Sequence, residues 1–382
     1  MSNFAVTVND LQSTPVAYEL AAVEGVRWTT VHPGGCGVAR FQMAAEGLAI
    51  PPYFGFNYKV DIWRDGVCLW SGLMDPPSLA YSSASGFHWE VTASGWGVLL
   101  SAQVDATQNV RNQLTSTVVT NAITNLVPEF ALTGFATSIT ATGFTLSNTA
   151  DINLTFMTAI QQIMWAAKFG DSSDASQVIY VYPDDVGTVG FSFLPRPSSP
   201  AYTMRLADTQ QARFSGNRHG YANRVTIQYN AGASSYSAND TTKQGAGPAG
   251  VNHIHEALVV LGELTNVADA TQAADAILAA RSVLKLAPNG PIVVHFNTPV
   301  MDANGALVPP WRLRAGFVMS LTDVWLGEAM GTNLAFYPQF LIAETDVDEE
   351  AQTVTIIPES FDTYIESQVA RVQALLGGRH TV

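Results

Sequence analysis

Trp311-Arg312-Leu313-Arg314-Ala315-Gly316-Phe317-Val318-Met319-Ser320-Leu321-Thr322-Asp323, with its continuation to Thr353-Val354-Thr355-Ile356-Ile357-Pro358, decides the fold class. Phe317, Met319 and Leu321 alternate with Val318 and Ser320, which is the period of a strand. The pattern predicts a second strand from about Gln339 to Ala343. A third runs from Thr353 to Ile357, where Thr353, Thr355 and Ile357 alternate with Val354 and Ile356. Between them Asp346, Asp348, Glu349 and Glu350 make an acidic turn whose like charges need solvent. The stretch reads as a small antiparallel β module without an evident reactive group.

Upstream, residues 1–105 read almost wholly as strand and turn. Gly25 to Thr30, Gly37 to Ala44, Tyr58 to Arg64, Val67 to Leu73 and Phe87 to Ala93 are rich in β-branched and aromatic residues. Asp65-Gly66 between two such runs is a hairpin signal, because both residues tolerate the positive φ of a two-residue type I′ turn. Short strands at this density predict a β-barrel.

The next segments change period. Val110, Leu114, Val118, Ala122 and Leu126 recur every four residues up to Pro128. Phe156, Met157, Ile160, Ile163, Met164 and Ala167 do the same, with Lys168 in the last turn and Gly170 as the stop. Strands at 178–182 and 189–194 flank Pro183-Asp184-Asp185, which together predict an inserted α+β domain over 106–200. Pro195, Pro197 and Pro200 mark its end. Strands resume at 202–206 and 223–229. Asn230 to Gly250 has hardly an apolar side chain and is expected to be a flexible loop, ordered only against a neighbouring chain. A helix is predicted over 267–286, with Ala270, Ala273, Ile277, Ala280 and Leu284 inward. A last helix, 361–376, carries the stripe Ile365, Val369, Val372 and Leu376, expected to pack on another chain or on the barrel rim.

The balance of residues narrows the function. Only 13% of the 382 residues are charged while 47% are hydrophobic, so part of the surface is expected to be covered in an assembly. A formal charge of −14 excludes a sequence-independent nucleic-acid footprint and an anionic membrane surface as partners. The start, Met1-Ser2-Asn3-Phe4, lacks the pattern of a signal peptide and no run of about 18 apolar residues occurs, so a soluble, cytoplasmically made protein is expected. Cys36 and Cys68 lie in apolar strand contexts and read as buried free thiols rather than a bridge.

Candidate chemistry is sparse. His253 and His255, at i and i+2, would share one strand face, but no third ligand stands at a supportive spacing. Glu344, Asp346, Asp348 and Glu350 alternate as a hard-cation site would require, yet no EF-hand glycine accompanies them, and a solvated hairpin is preferred. Gly34-Gly35-Cys36-Gly37 precedes a strand rather than a helix and so lacks the helix-terminal amides of a phosphate loop. Trp63, Trp70, Trp89 and Trp96 at strand spacing read as core or subunit interface before sugar platform. No catalytic, cofactor-binding or metal-binding residue is therefore assigned, and the chain is expected not to be an enzyme.

The order of elements carries a resemblance. The 58–72 hairpin, Trp89 to Trp96, the α+β insertion, Arg224 to Asn230, the alanine-rich helix, Arg314-Ala315-Gly316 with Leu321-Thr322-Asp323, and Glu349 to Glu359 follow one another in a way that is similar to the baseplate hub, or tail-tip, proteins of tailed bacteriophages. The resemblance implies an α+β, β-rich chain with two β-barrel domains forming a hub ring. The first would be 1–105 and the second 201–230 with 291–358; 106–200 is the inserted α+β domain, 231–290 a loop and α/β insertion, and 359–382 a C-terminal helix and tail. It further implies a homotrimer, assembled in the host cytoplasm and resident in the virion. The ring would join the tail tube or distal tail protein to a central spike or tail fibre. Genomic DNA and the tape measure protein would pass through its channel without specific binding, and no membrane or cofactor is implied. Such a channel is expected to be acidic or uncharged, with Arg312 and Arg314 free to pair with carboxylates of an adjacent chain. The readings from other classes are a tail-associated cell-wall polysaccharide hydrolase and a carbohydrate-binding adhesin.

Overall fold

The structure is a computed structural model. It describes residues 4–10, 17–20, 22–45, 58–83, 86–97, 177–197, 199–216, 221–244, 254–260, 290–323 and 338–359, with parts of 113–146, 267–288 and 334–336. The predicted helices at 153–169 and 361–376 lie outside the described residues, as does most of the one at 107–126, of which 116–121 and 123 are helical.

The N-terminal lobe is built from β1 (Phe4–Asn9), β2 (Ala17–Glu19), β3 (Val23–Val31), β4 (Gly34–Ala44), β5 (Lys59–Arg64), β6 (Val67–Met74), β7 (Ser78–Ser82) and β8 (Gly86–Gly95). Its ladder runs β2-β1-β5-β6-β8-β4-β3, all antiparallel, with β7 beside the first half of β8. The predicted hairpin is present: Arg64 pairs with Val67, and Asp65 and Gly66 take φ of 52° and 80°. Both faces of β6 are buried, and Trp28, Trp70 and Trp96 rank among the largest fully enclosed side chains. The tryptophans are thus mainly core, as their spacing predicts: Trp89 is also buried, and Trp63 donates its indole N–H to Thr7 Oγ1 at 2.9 Å. Each contributes apolar area on the order of 150–250 Å².

Three short strands follow, β9 (Gln113–Leu114), β10 (Ala136–Ile139) and β11 (Thr145–Leu146). The hairpin of β12 (Gln177–Pro183) and β13 (Val189–Pro195) then lies across the lobe, with β12 parallel to the start of β4. We call this hairpin the strap.

The C-terminal lobe comprises β14 (Tyr202–Arg205) and six later strands of its ladder. Between them come β15 (Phe214–Gly216), β16 (Arg224–Tyr229), β17 (Ser234–Asn239), β18 (Glu256–Val260) and β19 (Leu284–Pro288). The order β17-β16-β18 is a separate small sheet, on which Ala270, Ala274 and Ile277 of a helical segment pack against Val225, Ile227 and Ala238. Asn230 to Gly250 is therefore not a loop throughout, contrary to the expectation. Residues 234–239 form a strand fully laddered to β16, and 241–244 a helical turn. Polar strands satisfy their backbone groups in the ladder and need only a few inward apolar side chains, here Tyr236 and Ala238, to settle on a core. The helix predicted to reach residue 286 stops earlier, because Leu284–Pro288 is β19, paired with β15.

The lobe closes its course with β20 (Ile292–His295), β21 (Val300–Asp302), β22 (Leu307–Val308), β23 (Val318–Thr322), β24 (Leu334–Phe336), β25 (Gln339–Asp348) and β26 (Thr353–Pro358). Its ladder is β20-β26-β25-β23-β14-β21-β22. Met319 and Leu321 enter the main core and Val318 meets Leu341 and Val178 on the other face, so the predicted alternation is used on both sides.

Both lobes and the strap belong to one 18-stranded sheet. Its pairings branch without returning on themselves. Among the described residues neither lobe closes into the barrel that the strand density predicts, because strand edges are spent joining the lobes to each other.

Candidate functional site: the joint between the lobes

No reactive constellation emerges at the residues considered from sequence. His253 lies outside the described residues. His255 is a structural residue at the entry of β18: its N–H donates to Asn223 Oδ1 at 2.8 Å and its ring meets Tyr221 edge-on. Asp346 is engaged by Arg27, Asp348 accepts the Ala351 N–H at 2.8 Å, and no group of three His, Cys, Asp or Glu side chains suited to a metal exists among the described residues. Cys36 and Cys68 are buried free thiols, and burial pushes Cys36 up to about 12.

The densest polar organisation sits where the lobes meet. β25 gives one edge to β26. On its other edge it pairs first with β23, at Gln339 to Leu341, and then, past a register shift at Ile342–Glu344, with β3 at Glu344 to Asp348. One strand thereby serves both lobes. The two-fold side-chain period places Thr345 and Thr30 opposite one another, where both are buried and share a 2.6 Å hydrogen bond. Thr30 Oγ1 also accepts the Ala315 N–H at 2.9 Å, and Ala315 accepts the Tyr182 hydroxyl at 2.9 Å. Burial raises the Tyr182 phenol well above its ordinary range, so it stays a neutral donor. This chain ties β3, β25, the 315 bend and the strap into one network, and its buried groups find partners as a low-dielectric interior requires.

Glycines set how closely the backbones approach. A Cβ on Gly35 would lie 2.2 Å from the Val181 carbonyl oxygen, and one on Gly95 would lie 1.7 Å from that of Cys36. Gly34-Gly35-Cys36-Gly37 is rejected as a phosphate loop for a concrete reason: Gly35 makes room for the strap, while Gly34 and Gly37 lie against Val31 and Thr29 of β3.

Charged groups fasten the periphery. Arg27 binds Asp346 through two bonds, of 2.7 and 2.6 Å. Arg64, at the edge of the Asp65-Gly66 turn, reaches Glu349 of the other lobe at 2.5 Å. Its guanidinium lies 4.2 Å from the Trp311 ring centre and 4.9 Å from that of Phe296. Lys59 joins Asp61 at 2.9 Å and donates to the Gly187 carbonyl of the strap turn at 2.9 Å. Burial raises the Asp61 carboxyl, and Lys59 opposes that shift. Arg312 pairs with Asp185 at 2.8 Å and Arg314 donates to the Pro183 carbonyl at 3.0 Å. Within the chain both arginines hold the strap, Arg312 through Asp185 and Arg314 through the Pro183 carbonyl, because the 183–188 turn lies beside them.

Sequence reasoning missed Thr30, Thr345, His32 and Arg64 as organising residues. Arg64 alone carried a signal, as a charge next to a predicted tight turn.

No family model matches the sequence, and no curated protein matches it. Solved structures do resemble it. The 43 kDa tail protein of prophage MuSo2 from Shewanella oneidensis superposes with a TM-score of 0.59 at 13% identity, covering 95% of this chain and 98% of that one. A tail protein from Neisseria meningitidis MC58 gives 0.55 at 11% identity over 96% and 99%. Prophage tail protein gp18 from Listeria monocytogenes EGD-e gives 0.54 at 12% identity over 96% and 99%. Over nearly its whole length, the chain has the fold of these tail proteins.

Proposed function

We propose that the chain is a structural component of a phage tail, a baseplate or tail-tip hub in which three copies form a ring between the tail tube and a central spike or fibre. The observation that carries the reading is the end-to-end likeness to prophage tail proteins, with little of either chain left over. The joint supports it mechanically. Two lobes sharing β25, pinned by Arg64 and strapped by β12–β13, transmit force as one body, which suits an adaptor better than an enzyme whose domains must move. The buried polar groups of the joint are spent on fastening, which supports a non-enzymatic role. The division at 1–105, 106–200, 201–230 with 291–358, 231–290 and 359–382 belongs to the same proposal. So do the neighbours (a tube or distal tail protein, and a spike or fibre) and residence in the virion. Three copies would carry a formal charge of about −42, which favours passage of DNA and of the tape measure protein without adhesion.

Electron microscopy of the purified chain tests the reading. Three-fold rings with a central opening are expected. Particles of single-chain size only, with turnover of cell-wall polysaccharide, would favour the hydrolase instead.

A further inference from the structure

His32 ends the β3 side of the joint. Its backbone N–H donates to the Ala343 carbonyl of β25 at 2.7 Å, continuing the ladder that welds the lobes. The ring points toward the strap. One nitrogen is hydrogen-bonded to the Ile179 carbonyl of β12, while Nδ1 is enclosed and has no partner among the described residues. Gly316 faces Nδ1, and a Cβ there would stand 3.5 Å from it and 3.3 Å from Tyr180 Cδ1. The neutral imidazole fits this niche, since it needs only the one acceptor that Ile179 supplies. The imidazolium does not, because its second N–H would be buried without an acceptor.

We infer that His32 is an acid-sensitive latch: its protonation releases the strap β12–β13 from the joint while each lobe keeps its own ladder. The surrounding charges favour release. Arg196, just past β13, disfavours a positive ring and is itself held by Glu359 at 2.7 Å, so Glu359 is committed elsewhere. Tyr180 on β12 is kept neutral by burial. Glu344 on β25 has its carboxyl raised by burial and by Asp346, so near its titration it offers a weakened counter-charge. Burial, the largest cause, lowers the ring to about 4 from its ordinary 6.5.

The sign follows directly. A group whose pKa is depressed in the closed form binds more protons when open, so closure is favoured above the ordinary value and lost as the pH falls toward 4. With 6.5 in the open form and about 4 in the closed one, opening of the strap rises by about 20-fold between pH 7 and pH 5. The inference does not depend on the ring reading.

Hydrogen exchange followed by mass spectrometry between pH 7 and pH 5, corrected for intrinsic rates, provides the test. Amides of 177–183 are expected to gain about 20-fold in opening, while those of β5–β6 and β20–β26 stay protected. The His32→Gln variant, which keeps a donor for Ile179 and cannot titrate, is expected to remove the rise. Should that variant fail to fold, an NMR titration of the wild-type imidazole decides alone, with His32 remaining neutral to about pH 5. Titration near 6.5, uniform loss of protection across the chain, or an unchanged rise in His32→Gln would each overturn the latch.

Discussion

Arg64→Ala removes the fastening that spans the lobes most directly. The Arg64 side chain is 5% exposed and Glu349 17%, so the pair is largely withdrawn from water and little of its attraction is screened. Truncation leaves Glu349 beside the emptied space, its Oε1 retaining only Gln352 at 3.2 Å. Breaking a pair this enclosed costs about 3–5 kcal/mol. Stacking on Trp311 and Phe296 supplies about 0.5–2 kcal/mol of that total. Equilibrium urea unfolding read by tryptophan fluorescence measures the loss. Because Trp28 and Trp70 report on the N-terminal lobe and Trp311 on the other, the variant is also expected to lose coincidence between probes. A double-mutant cycle with Glu349→Gln is expected to give a coupling of about 1–3 kcal/mol. A loss below about 1 kcal/mol, the range of an exposed ion pair, would refute the claim that Arg64 is a structural pin.

Three further outcomes follow from the same geometry. Gly35→Ala is expected to cost about 2–6 kcal/mol, combining left-handed strain at φ 95° with collision against Val181, whereas Gly66→Ala, with φ 80° but open space, costs only about 1–2 kcal/mol; thermal unfolding separates them. Thr30→Val orphans the Ala315 N–H as well as Thr345 and is expected to cost about 1–3 kcal/mol, more than Thr345→Val, by the same urea assay. Cys36 and Cys68 are buried with raised thiol pKa values, so a disulfide reagent at pH 8 is expected to label the native protein at under about a hundredth of the rate found in urea.

The fold was legible where one residue's chemistry sufficed. Asp65-Gly66 announces its turn because few other pairs accept two positive φ values, and Met319 and Leu321 announce their strand through alternation. The 234–239 strand was hidden because its ladder is made by backbone groups that every residue carries, so Ser234-Ser235-Tyr236-Ser237 looks like a loop until β16 lies beside it. Among the described residues the expected barrels do not close, for a related reason. Strand density does not say which edge pairs with which, and here the free edges of β3 and β25 find each other. The joint was nearly invisible: Thr30 and Thr345 are 315 residues apart, and nothing local marks either as buried. Arg312 and Arg314 were visible as charges, but their partners on the strap were not.

The central claim is that this chain works as a tail adaptor built from several copies of itself. Sedimentation equilibrium of the purified full chain tests it most directly. The account predicts a stable species of about 123 kDa, three copies of the 40.9 kDa chain, persisting into the low micromolar range. A species of single-chain mass at every concentration measured would contradict it.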